Sequence, residues 1–188
     1  MIEQDKVQAL DNISEVMTGT NKVIFTDASM KDSRVGAAAV MLDQANGQQR
    51  TVQIGLGPAS GWTVHTGELI AIHQAREIIE EEVGNKPRQA KCHDKVFTII
   101  SDRQAAIRAI ANPTSTSGQH IVRRILGQVK VLRERSTKVR LLWIPGHSGN
   151  KGNETADQLA KQAVNLESQH DYHRPVSIYK RKIHKKIE

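Results

Sequence analysis

The chain has 188 residues, a formal net charge of +7 and one cysteine, Cys92. That length suits one domain with residues left over for tails, and the lone cysteine excludes an internal disulfide and a cysteine-rich zinc site. Aromatic residues make up only 3% of the chain against 38% hydrophobic residues. The core must therefore be built from Ile, Val, Leu and Ala, and a row of exposed rings for stacking single-stranded bases is excluded. The basic balance favours a polyanionic partner. It is concentrated in residues 170–188, where six Lys/Arg stand against two acids. The first residues, M-I-E-Q-D-K, lack an apolar signal segment, and no run approaches the ~18 apolar residues of a membrane span. The expectation is a protein without a membrane partner, working as a monomer inside the cell, in cytoplasm or nucleus.

Residues 1–21 are polar with scattered apolar positions (Ile13, Val16, Met17) and read as a leader or linker. Three strand signals follow, at 22–26 (K-V-I-F-T), 36–42 (G-A-A-A-V-M-L) and 49–57, where Val52, Ile54 and Leu56 alternate. The Asn46–Gly47 pair is a tight-turn signal between the last two, so an antiparallel meander is predicted. The period then changes. From Val64 to Val83, apolar residues recur at Leu69, Ile72, Ala75, Ile79 and Val83, a helical spacing that Gly84 can close. Residues 85–94 form a charged loop. A buried-type strand at 96–100 (V-F-T-I-I) precedes Asp102. A short helix at 104–111 stops at Asn112-Pro113, and 114–118 is a Ser/Thr/Gly loop. A second amphipathic helix spans 119–133, with Ile121, Ile125, Val129 and Leu132 inside. A last strand at 139–144, a Gly-rich loop at 145–152 and a helix at 153–166 complete the core. The order β-β-β-α-β-α-α-β-α predicts an α/β fold, a mixed sheet with helices packed on its faces.

Four acids occupy informative positions. Asp27 and Asp102 each follow a predicted buried strand, where ligands collect in open α/β sheets. Glu68 and Asp157 lie early in two helices, among apolar neighbours. Singly, each has an ordinary role: a turn former or cap for the two after strands, a solvated helix residue for Glu68, and a favourable helix N-terminal charge for Asp157. Carboxylates gathered in one small volume would repel strongly. Hard divalent cations relieve that repulsion, and Mg²⁺ prefers oxygen ligands. Two such ions about 4 Å apart can activate water and stabilise the leaving oxygen of a phosphodiester.

Four segments carry a family resemblance: Thr26-Asp27-Ala28-Ser29; Gly67-Glu68-Leu69-Ile70-Ala71-Ile72; Ser101-Asp102-Arg103-Gln104-Ala105-Ala106; and W-I-P-G-H-S-G-N-K-G-N-E-T-A-D from Trp143 to Asp157. They resemble the signatures of type 1 ribonuclease H, most closely the domains found in non-LTR retrotransposon polyproteins, over residues 22–166. The resemblance implies the RNase H-like fold, a five-stranded mixed sheet of order 3-2-1-4-5 with the first three strands antiparallel. It also implies an endonuclease that hydrolyses the RNA strand of an RNA/DNA hybrid with two Mg²⁺ ions, for which Mn²⁺ can substitute, leaving 5′-phosphate and 3′-hydroxyl ends. A reverse transcriptase domain in the same polyprotein would be its partner. By motif position Asp27 would bridge both metals, Glu68 and Asp102 would hold the ion on the leaving-group side, and Asp157 would help hold the ion that activates water. His147 matches a mobile histidine that assists proton transfer or product release, a task suited to its near-neutral pKa.

Ser29 and Gln104 match positions that touch the hybrid near the cut, and Thr63 matches a residue that holds a DNA phosphate. The chain departs from the pattern just after Thr63, where Val64 and His65 replace an Asn pair that reads the minor groove. The basic protrusion of cellular members is also missing. Arg123, Arg124, Lys130, Arg133 and Arg135 give the 119–133 helix a basic face, which is either a phosphate-facing surface or an ordinary solvated one. Residues 167–188 are expected to be a basic tail, with 177–186 either a phosphate contact or a polyprotein linker. Two further readings remain: a non-catalytic hybrid-binding or scaffold domain, and a resolvase- or integrase-like DNA nuclease on the same fold.

Overall fold

The computed structural model describes residues 22–42, 48–84, 95–113, 117–146, 149–175 and 178. The predicted leader at 1–21, the Asn46–Gly47 turn, the 85–94 loop, His147 and the basic run at 179–186 lie outside them.

The sheet is built around β1 (Lys22–Lys31). It turns into β2 (Arg34–Leu42) through Asp32 and Ser33, both at positive φ (49° and 57°), the backbone of a tight two-residue hairpin. β3 (Gln49–Pro58) pairs antiparallel with β2, with a bulge where Val35 and Gly36 face Gly57 and Gly55. Helix α1 (Val64–Val83) crosses to β4 (Lys95–Ser101), which lies parallel to β1. Helices α2 (Gln104–Ala111) and α3 (Gln119–Glu134) lead to β5 (Thr137–Trp143), parallel to β4. Helix α4 (Lys151–Ala163) follows. The strand order is β3-β2-β1-β4-β5, in agreement with the order expected from the resemblance.

Alternation along each strand splits the interior into two layers. Ile24, Ala39, Phe97 and Ile99 face α1 and α3, where Leu69, Ile72, Ala75, Ile79, Ile121 and Ile125 meet them. Phe25, Val40 and Ile100 face the other way, against Ala156 of α4 and Ile144. Both α1 and α2 have the bounds that their periodicity predicts. Two expectations need correction. Asp27 does not follow a strand but lies inside β1, opposite Ala38, because the hairpin pairing continues to Lys31 and Arg34. The last helix begins at Lys151 and ends at Ala163, since the Asn150 side chain caps it by accepting from the Gly152 and Asn153 amides.

Glycines set how closely α4 approaches the sheet. A Cβ on Gly36 would lie 2.4 Å from the Val164 nitrogen, and one on Gly152 would lie 2.1 Å from Phe25 Cε2. Gly127, in the middle of α3, has nothing within 4 Å. Two substitutions of the same chemistry should therefore have opposite signs. Gly36→Ala should destabilise by about 1–3 kcal/mol or more through backbone overlap. Gly127→Ala should stabilise by roughly 0.5–1 kcal/mol through helix propensity. Urea denaturation of the two variants and the parent measures both, and equal signs would contradict the packing described.

Candidate active site

Parallel pairing between β1 and β4 ends at Thr26 and Ser101. The next residue of each segment is an acid, so Asp27, still within β1, and Asp102, just past β4, lie side by side beyond the parallel pairing. Thr26 Oγ1 donates to the Ile100 carbonyl across this junction (3.2 Å) and holds the two chains together where they deliver the acids. Glu68 arrives from α1. Its neighbour Gly67 makes this possible: a Cβ there would lie 2.8 Å from Ala28 Cβ and 3.2 Å from Val35 Cγ1, so only glycine lets the first turns of α1 lie on β1. The result is a group of three carboxylates, Asp27, Glu68 and Asp102, each offering an oxygen within 4.8 Å of the others.

Burial is unequal. Glu68 is 2% exposed and Asp27 8%, whereas Asp102 is half-buried. Burial and the Asp102 charge, opposed by a hydrogen bond from the Ala28 amide (2.8 Å), push the Asp27 carboxyl up to about 7. Glu68 is driven well above the usual range, first by burial, then by Asp27 and Asp102, while the nearby Arg103 pulls the other way. The two carboxyls hydrogen-bond to each other, which requires a proton on one of them. Glu68 Oε2 is buried without a hydrogen-bond partner among the described residues.

Asp102 is fixed from several sides. Trp143 Nε1 donates to its carbonyl (2.9 Å), Asn153 Nδ2 approaches its Oδ2 (3.5 Å), and a Cβ on Gly146 would lie 3.0 Å from that same oxygen. Asn153 had no assigned role in the sequence. The available signal was its i,i+4 spacing to Asp157, which puts both on one face of α4. Arg103, which adjoins Asp102 directly, is a second such residue, its charge acting on both Glu68 and His65.

Asp157 stands outside the three-acid group. It is half-buried and pairs with Lys161 one turn on (2.6 Å). Its charge still reaches Asp27 and contributes to that carboxyl's upward shift. Ser29 is half-buried two residues beyond Asp27, on the same side of β1. Gln104 opens α2, two residues after Asp102. Thr63 caps α1 and exchanges hydrogen bonds with Thr66. His65 is half-buried, its proton affinity lowered by burial and then by Arg103, and it hydrogen-bonds the Ser117 backbone.

Three acids on adjacent elements, with a capped helix beside them, match a known family over most of the chain. Residues 19–165 fit the family described as RNase H. The chain belongs to the RNase H family. It is therefore a ribonuclease H, a nuclease of the hydrolase class. Solved structures with the same fold include LC11-RNase H1, isolated from compost by a metagenomic approach (TM-score 0.57, 18% identity, covering 78% of this chain and 97% of that one). RNase H1 from the halophilic archaeon Halobacterium salinarum is similar (TM-score 0.54, 16% identity, 77% and 98% covered). LC11-RNase H1 in complex with an RNA/DNA hybrid gives a TM-score of 0.57 at 16% identity, with 77% and 97% covered.

The raised carboxyl makes a pH prediction for the metal-free RNase H domain. Asp27 has its ordinary value of 3.8 when unfolded and about 7 when folded. Below both values neither state ionises it. Between them the unfolded chain releases the proton and the folded chain keeps it, so stability falls as pH rises and levels off above about 7. In EDTA, Asp27→Asn should remove this component, worth up to about 4 kcal/mol at one pKa unit per ~1.4 kcal/mol. The variant should therefore gain on the parent between about pH 4 and about pH 8 in urea melts. A gap between variant and parent that does not change with pH would show that Asp27 titrates normally.

Proposed function

We propose that this RNase H domain hydrolyses the RNA strand of an RNA/DNA hybrid by two-metal-ion catalysis. The observation that carries the reading is the three-carboxylate group of Asp27, Glu68 and Asp102, in a chain of the RNase H family. The donor set fits the ions. It consists of hard carboxylate oxygens, two of them with their proton affinity raised by burial and mutual repulsion, with Glu68 Oε2 lacking any other partner among the described residues. Mg²⁺ is the cation proposed, with Mn²⁺ as a substitute.

When bound, the cations supply neutralisation of the acids, activation of water and stabilisation of the leaving oxygen. Asp27 would contribute to holding both ions. Glu68 and Asp102 would hold the one beside the leaving oxygen. Asp157 would complete the other, exchanging its Lys161 partner for the cation. Asn153 and Trp143 keep Asp102 in place. Ser29, Gln104 and Thr63 are assigned to hybrid contacts, and His147 to moving a proton at the water or the product. Water oxygen adds to phosphorus and the P–O3′ bond breaks, which leaves a 3′-hydroxyl and a 5′-phosphate. The string from Trp143 to Asp157 supports placing the domain in a retroelement polyprotein, beside a reverse transcriptase.

Labelled RNA/DNA hybrid, duplex DNA and duplex RNA distinguish the alternatives. With Mg²⁺ only the RNA strand of the hybrid should be cut, and EDTA should stop it. Asp102→Asn should lower kcat by roughly 100-fold or more, about 3 kcal/mol of barrier, with an unchanged fold by circular dichroism. Cutting of duplex DNA, or hybrid binding with no cutting by the parent, would defeat this reading.

A further inference from the structure

The family match ends at residue 165, yet the chain remains part of the domain beyond it. Residues 166–174 run as a strap over the edge of β3 and the turn that follows. Three glycines form its bed. A Cβ on Gly55 would lie 2.3 Å from the Leu166 carbonyl oxygen, one on Gly57 2.7 Å from Ser168 Oγ, and one on Gly61 2.8 Å from Arg174 Nε. Arg34 donates to the carbonyls of Val164 (3.0 Å) and Leu166 (3.2 Å) at the start of the strap. His170 meets Trp62 edge-on (centroids 5.1 Å). Tyr172 is buried; its hydroxyl donates to Gln74 Oε1 (3.1 Å) and contacts His73 Nδ1. Arg124 lies over the Tyr172 ring (4.8 Å) and pairs with Asp171 (2.8 Å).

These anchors deliver one cation to a defined place. Arg174 is exposed, lies against Gly61, and makes no ion pair among the described residues. Gly61 stands two residues before Thr63, which opens the helix that carries Glu68. At ~1.5 Å per helical residue, Thr63 is about 8 Å along the axis from Glu68, so Arg174, against Gly61, lies at the end of the helix that carries this carboxylate.

We propose that Arg174 is a hybrid-binding residue, its guanidinium seated by the strap to take one backbone phosphate of the bound duplex. The proposal rests on the hybrid-nuclease reading above. A guanidinium suits the task because its planar fork meets phosphate oxygens in pairs. Gly61 belongs to the same device, since any side chain there would push the guanidinium away.

The full chain tests it through cleavage of hybrid with Mg²⁺ at several salt concentrations. Arg174→Ala should raise KM roughly 10-fold with kcat within about twofold, and flatten the log–log salt dependence of kcat/KM by about one unit. Arg174→Lys should recover part of the loss. Gly61→Ala should reproduce the alanine phenotype with Arg174 still present. Arg174 is exposed, so the melting temperature of Arg174→Ala should match the parent. Single methylphosphonates placed along each strand should reveal one position that weakens the parent but not Arg174→Ala. An unchanged KM and salt slope in Arg174→Ala, or the same methylphosphonate profile in both proteins, would overturn the proposal while the nuclease reading stands. Failure of the parent itself to cut hybrid would instead overturn the nuclease reading, and this proposal with it.

Discussion

The contact of α1 with β1 through Gly67 governs the chemistry of this domain. It brings the helix close enough that Glu68 is buried beside Asp27, with Asp102 completing the group. Three carboxylates at that separation are unfavourable, because burial removes the water that would screen them. The fold nevertheless holds them together, since the opposing terms are larger. Leu69, Ile70, Ile72, Ala75, Ile78 and Ile79 of the same helix are all buried, and each large side chain contributes roughly 1.5–3 kcal/mol. The site is thus held in a strained charge state by the hydrophobic face of the helix that carries one of its own members. Such strain relaxes when protons or cations arrive, which makes the group a receptor for positive charge.

The order of the elements was legible in the sequence because two periodicities alternate in it cleanly. The helix of Leu69, Ile72, Ala75, Ile79 and Val83 has the bounds that its spacing implies, and the strand runs differ only at their ends. Apolar neighbours put Glu68 at the edge of the core, but its full burial was not legible. A glutamate near a helix start is ordinarily solvated, and only the absence of a side chain on Gly67, combined with the nearness of Ala28 and Val35, forces it inward. Asp27 reads as the end of a strand because the apolar run K-V-I-F-T stops there, but backbone pairing with β2 does not depend on apolar side chains and continues past it. The strap escaped notice for a related reason. Residues 166–174 are polar and charged, without a period, and their anchoring depends on ring and guanidinium contacts with distant residues. The trace they leave in sequence is indirect: glycines at 55 and 57, where strand propensity alone would favour larger residues, and at 61 in the turn that follows.

The strap and the acid group meet on α1. His73 and Gln74 sit one to two turns beyond Glu68 and receive Tyr172 from the strap. Burial and the Arg124 and Arg76 charges lower the His73 pKa to about 4, and burial lifts the Tyr172 hydroxyl beyond its ordinary range. Both groups are therefore neutral across the working pH range, and the anchor does not titrate when the acid group does. Protonation events at Asp27 and Glu68 are in this way separated from the contacts that fix the helix in position.

The fourth acid follows a different physical rule. Asp157 is half-exposed and pairs with Lys161 one helical turn away (2.6 Å), outside the three-acid group. An exposed i,i+4 pair of this kind contributes little, because water screens it. On the proposed two-ion reading, Lys161 is a counter-charge that a divalent ion would displace at small cost; meanwhile it keeps a further negative charge from adding in full to the repulsion felt by Asp27. A buried Asp157 without a lysine would raise that repulsion and oppose folding of the metal-free chain. An Asp157 in a tightly buried ion pair would resist the cation, because removing one partner of such a pair costs several kcal/mol. On the proposed two-ion reading, the half-exposed pair lies between these extremes, and a second cation site is assembled from α4 only when the ion is present.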